Sequence, residues 1–255
     1  MAKLILSGSV GANANNNPAD VVSVRDRLLE LGYERVAHCK TGKESDMILT
    51  IKLIQSMIKG SGKIDKGDGK ISLHGDTHRW LAAQNAPKWV RIWGGGGLGW
   101  SSTKDYAESN GGWATSWLLE RLNTAGAMYR AAALFTVNDA PPLWVRECSP
   151  QKAGKNPSGH KSHETGLDVD MRLPLLPPHT NEWFQLRAHN YTKLFHFEAA
   201  KVQCQMIKKH MDTKYIFFND PRFIKDLKLT THEANHSEHY HIRIRPPVRI
   251  DGVYM

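Results

Sequence analysis

Two short segments constrain this chain more than anything else in it. In residues 239–245, Tyr240, Ile242 and Ile244 alternate with His239, His241, Arg243 and Arg245. Successive strand side chains point to opposite faces, so the apolar residues share one face and the imidazoles and guanidiniums the other. In residues 167–172, Leu167, Val169 and Met171 alternate with Asp168, Asp170 and Arg172, which aims both aspartates at the same side. His163 lies seven residues before Asp170, and Gly166 lets the chain turn between them. Two histidines at i and i+2 on one strand face can both address one ion or one substrate.

The remaining pattern sets the class. Val21, Val24, Leu28 and Leu31 form a helical stripe, with Asp20 as its expected cap and Gly32 as its stop. Met47, Ile51, Ile54 and Ile58 form a second stripe closed by Gly60, and a third helical segment runs near Thr77 to Gln84. A strand is expected at Lys3 to Leu6. The run Asp65 to Ile71 reads as a tight turn into an extended piece, because it lacks the alternating oxygen ligands and closing Glu of a calcium loop. Residues 86–112 are rich in Gly and Trp and read as a linker or surface loop; the four glycines 94–97 are followed by no phosphate-loop Gly-Lys. A helix is expected from Trp113 to about Leu134 and another from Tyr191 to Lys209. Strands are expected at Leu143 to Arg146, Gly166 to Leu173, Tyr215 to Phe218 and His239 to Arg245. Helices first and strands after predict an α+β protein.

Composition excludes several classes. The 255 residues are 40% hydrophobic and 23% charged, enough for a real core. Mean hydropathy is -0.47, no run approaches the ~18 apolar residues of a membrane span, and no secretory signal is visible. No membrane anchor is therefore expected. Cys39, Cys148 and Cys204 are three and far apart, which predicts buried neutral thiols and not a disulfide framework or a cysteine zinc site. Lys and Arg exceed Asp and Glu by 34 to 25, a net charge of +9 that favours anionic partners. Nucleic acid is not the expected one, because no recognisable binding motif accompanies the charge.

Two histidines and a carboxylate with one position open to water form a zinc-hydrolase ligand set. Bound zinc brings the pKa of its water to about 7 and polarises a carbonyl. The HExxH motif is absent, and Glu164 and Glu238 point away from the site if the strands form as read.

The two clusters resemble the LAS-type zinc peptidases, and most closely the penicillin-insensitive murein endopeptidase family. The matching residues are His160-x2-His163-x2-Gly166-Leu167-Asp168-Val169-Asp170, then His236-x2-His239-x-His241. The resemblance covers roughly residues 113–245. It implies zinc held by His163, Asp170 and His241, His239 as the catalytic histidine, and His160 and His236 lining the site. Asp168 is then either a residue that orients a ligand imidazole or a plain structural aspartate. Residues 1–85 resemble the three-helix peptidoglycan-binding domain, on Asn17-Pro18-Ala19-Asp20-Val21, Val24-x3-Leu28-x2-Leu31-Gly32-Tyr33, Thr50-Ile51-Lys52-x2-Gln55 and Gly67-Asp68-Gly69-Lys70-Ile71.

The implied organisation is a helical peptidoglycan-binding-like domain at 1–85, a linker at 86–112, and an α+β zinc peptidase domain at 113–255 with a central antiparallel sheet. The implied reaction is hydrolysis of an amide in peptidoglycan cross-links, between D-Ala and meso-diaminopimelate by family likeness. The implied setting is a phage-type lysin or an antibacterial effector made in the cytoplasm, exported, and active in the periplasm or wall of a target cell. Secretion machinery and an immunity protein would then be further partners. The alternative is a non-catalytic peptidoglycan- or metal-binding protein.

Overall fold

The computed structural model describes residues 4–103, 108–154, 162–179 and 191–252. Its first part is three helices, α1 (Pro18–Glu30), α2 (Ser45–Ile58) and α3 (Asp76–Ala82), with a two-stranded ribbon of β1 (Val10–Gly11) against β2 (Lys70–Ile71). The expected stripes face inward: Val21, Val24, Leu28, Met47, Ile51 and Ile54 are fully buried. Each such side chain contributes roughly 1.5–3 kcal/mol by leaving water. Asp68 serves the turn before β2, accepting from Gln55 Nε2 at 2.7 Å and the Lys70 N–H at 2.9 Å.

Two expectations in this part are corrected. Leu4 to Leu6 form no strand, although Leu4 and Leu6 are buried and Ile5 is exposed. The Leu4 carbonyl meets a ring nitrogen of His78 at 2.9 Å and the Ser7 N–H goes to Asp20, so side chains take the bonds a neighbouring strand would have supplied. Asp20 does not hold the cap position of α1; Asn17 does, without a side-chain capping bond, because Pro18 opens the helix. Asp20 instead accepts from the Ser7 N–H and hydroxyl, both at 2.9 Å.

The Gly/Trp-rich segment is not a loop. It supplies β3 (Trp89–Arg91), β4 (Gly96–Gly97) and β5 (Trp100–Ser102). Gly99 turns the β4–β5 hairpin at φ 82°, and a Cβ there would overlap the Gly126 carbonyl on the long helix that follows. After the short α4 (Glu108–Gly111), Trp113 lies in β6 (Trp113–Thr115), not in a helix, since it exchanges backbone bonds with Ser149 and pairs with β3. The helix α5 (Ser116–Thr136) starts later, capped by Thr115 Oγ1 accepting from the Leu118 N–H at 3.2 Å.

Four more strands complete the main sheet: β7 (Leu143–Glu147), β8 (Asp168–Arg172), β9 (Thr213–Phe217) and β10 (His239–Ile244). The expected helix near 191–209 is broken into α6 (Tyr191–Leu194) and α7 (Phe197–His210), because Phe195 bridges to Leu175 and His196 caps the second piece. The sheet order is β4-β5-β7-β8-β10-β9, antiparallel except for β5 beside β7. The class is therefore α+β with an antiparallel-rich sheet. Val169, Met171, Tyr240, Ile242 and Ile244 are fully buried on one face, and Cys204 of α7 is fully buried too. All three cysteines are buried and unpaired. No helix among the described residues is long and apolar enough to cross a membrane.

The buried apolar cluster is continuous from Leu4 to Ile244. Trp80 of α3 packs edge-on against Trp117 of α5 with ring centres 5.3 Å apart, and the Trp89 N–H donates to the Leu31 carbonyl at 2.8 Å.

Candidate metal centre

The open face of the sheet carries the site. Strand register aligns Glu147, Asp170, His241 and Phe217 in one row across β7, β8, β10 and β9. The row on one side pairs Arg172 with His239, and the row on the other aligns Asp168, Arg243 and Tyr215. The alternation read from the sequence is thus the pattern that places two aspartates and two histidines on one surface.

His163 enters from the loop before β8. Its φ is 69°, a left-handed conformation that a residue with a Cβ adopts at a cost of order 1–3 kcal/mol. It is fully buried, with Nδ1 3.0 Å from the Cys148 carbonyl oxygen. That carbonyl can only accept, so Nδ1 carries a proton and Nε2 faces His241 and Asp170. His241 is fixed the other way: Nε2 lies 3.1 Å from Asp168 Oδ1, which leaves Nδ1 facing His163 and Asp170. Arg243 Nε in turn donates to the same Asp168 oxygen at 2.7 Å.

Three ligand atoms converge. His163 Nε2 and His241 Nδ1 are 3.1 Å apart, His241 Nδ1 and Asp170 Oδ1 are 2.9 Å apart, and His163 Nε2 and Asp170 Oδ1 are 3.3 Å apart. A tetrahedral ion with bonds of about 2.0 Å needs ligand atoms about 3.3 Å apart, so this triangle is close to one face of such a shell. Both imidazole tautomers are held by outer partners in the manner of metal-ligating histidines. The buried group His163, Asp170 and His241 could hold a metal ion.

His239 sits at the rim, with Nε2 3.6 Å from Asp170 Oδ2. It is 5% exposed, and neither ring nitrogen has a hydrogen-bond partner among the described residues. Burial pushes its pKa down to about 4, outweighing the Asp170 charge and helped by His236 and Arg146, so it is neutral near pH 7. His236 packs beside both others, its ring centre 5.0 Å from that of His239 and 5.4 Å from that of His241. Burial would raise both aspartates, but the imidazole neighbours hold Asp170 well below the usual carboxylate range, and His241 and Arg243 hold Asp168 at about 2. Burial would lower His241, but the two aspartates raise it to about 10.

The raised His241 gives a direct expectation. Without metal, both ring nitrogens are protonated at pH 7, one toward each aspartate. A metal ion at Nδ1 displaces one proton. Binding of a divalent ion at pH 7 will therefore release about one proton, and affinity will climb with pH toward about 10. Titrations in two buffers of different ionisation enthalpy measure it; zero proton release would place the ion elsewhere.

Of the residues singled out from sequence, His163, Asp168, Asp170, His236, His239 and His241 meet here. His160 lies outside the described residues. Glu164 is turned away, its Oε2 accepting from the Ile64 N–H at 2.9 Å. Sequence reading missed the Cys148 carbonyl, for which no side-chain signal exists. It also missed the aromatic wall: Tyr215 and Phe217 stack 4.1 Å apart and flank the His241 ring at 6.0 and 5.8 Å. The two-residue spacing within β9 was the available signal. No protein-family model matches the chain, and no curated protein matches it as a relative.

Proposed function

We propose that the chain is a zinc peptidase that hydrolyses an amide in the peptide cross-links of peptidoglycan, with residues 1–85 binding the same polymer. The single observation that carries this reading is the buried triangle of two imidazoles and one carboxylate, with a neutral histidine beside it whose ring nitrogens make no hydrogen bond among the described residues. Held there, zinc would supply Lewis acidity and would lower the pKa of a water to about 7. The chain's own residues do the rest. His163, Asp170 and His241 are the ligands, while the Cys148 carbonyl and Asp168 hold the imidazoles in the ligating tautomers. His239 would take at a ring nitrogen the proton that the attacking water gives up as the C–O bond forms, and pass it to the leaving amine as the C–N bond breaks. The +9 charge draws the protein to an anionic wall, where D-Ala to meso-diaminopimelate is the bond we assign.

Purified sacculi test metal, reaction and bond together. The zinc-loaded protein will release muropeptides whose masses report the bond cut; a strong chelator will stop release and added zinc will restore it. Undiminished release after confirmed metal loss would overturn the reading.

A further inference from the structure

The groove over the metal centre has two walls from distant parts of the chain. One is β9, β10 and the 233–236 loop; the other is the turn after α2, with Ser61, Gly62, Lys63 and Asp65 lining a space of about 670 Å³. That turn is tied down at several points. The Glu164 N–H donates to the Gly62 carbonyl at 3.0 Å, and Glu164 Oε2 accepts the Ile64 N–H. Thr165 Oγ1 donates to the Ser61 carbonyl at 2.7 Å, and Lys214 Nζ reaches the Gly60 carbonyl at 3.4 Å. Gly62 leaves no space: a Cβ there would overlap the Arg243 guanidinium and come within 2.6 Å of Asp168 Oδ2. The tip of the turn thus rests on the pair that orients His241, while Lys63 stays exposed beside the groove.

We propose that the 61–65 turn is the second wall of the substrate groove and that Lys63 reads a free carboxylate on the peptide stem. This rests on the peptidoglycan reading for its substrate. The helical part of the chain would then shape the site and not only tether it. The opposite wall supplies apolar surface through Tyr215 and Phe217 and an acid through Glu233. Lys63 is placed to favour an anionic group on the near side, as a cation at the edge of a groove does. Gly62 is a positioning residue that acts through Arg243 and Asp168.

The test uses the full-length, zinc-loaded protein. Lys63→Glu will raise KM about tenfold for a stem peptide with free carboxylates and leave kcat within about twofold. The same change will have little effect on a stem whose carboxylates are amidated. Lys66→Glu is the control, an equal charge change on a lysine that does not line this groove. Binding of the intact stem tetrapeptide, read by calorimetry, repeats the comparison without requiring turnover, so failure of the peptidase reading stays separate from failure of the wall. Gly62→Ala will weaken zinc binding through displaced Arg243, a readout independent of turnover. Equal effects of Lys63→Glu and Lys66→Glu, or none from Lys63→Glu in either binding or KM, would overturn the proposal.

Discussion

His241→Ala will cost the protein its metal and its activity together, whereas His239→Ala will keep the metal and lose only turnover. His241 contributes one corner of the ligand triangle, and without it Asp170 and Asp168 each lose a buried imidazole partner. Two ligands are left, too few for a structured site. His239 is not a corner of the triangle, its Nε2 lying 3.6 Å from the far oxygen of Asp170, so three candidate ligands persist in its absence. In the role proposed for it, its loss would remove a proton carrier, worth something on the order of 10²–10⁴-fold in rate. Metal content by mass spectrometry tells the two variants apart where activity cannot. If His239→Ala proves metal-free and His241→Ala metal-replete, the assigned roles are exchanged.

Removing residues 1–85 will abolish cleavage even of a small soluble muropeptide. A tethered binding module would only raise local substrate concentration, and its loss would spare a small substrate. Here the helices share one apolar cluster with the sheet and lay the 61–65 turn along the groove. Truncation would expose Trp89 and Trp117 and leave Arg243 without its cover at Gly62. Circular dichroism and single-turnover assays on the fragment check this. A folded fragment with intact turnover on the small substrate would refute it.

The centre was more legible in the sequence than its surroundings. Period-two alternation is a local signal, so 167–172 and 239–245 announced which side chains share a face before any partner strand was known. The helical stripes were legible for the same reason. What failed were features set by non-local partners. The segment 86–112 looks like a loop because glycine carries no side-chain pattern, yet its strands form by pairing with β6 and β7. Leu4 to Leu6 has the alternation of a strand, but the Leu4 carbonyl meets His78 and the N–H just after the segment, that of Ser7, meets Asp20, where a strand would have been needed. The 61–65 turn is polar and short, and nothing in its own residues says that it faces a groove whose other wall comes more than 150 residues later.

The pairing of β8 with β10 has a bearing on how the molecule comes into being. Asp170 and His241 are separated by 71 residues, and closing so long a loop costs about 4 kcal/mol of chain entropy before any contact rewards it. Topologies dominated by such distant pairings fold slowly. During synthesis the first two ligands, His163 and Asp170, emerge well before the third. A growing chain therefore carries two corners of the triangle without the third, and on the proposed reading a nascent molecule would be inert until its last inner strand had docked.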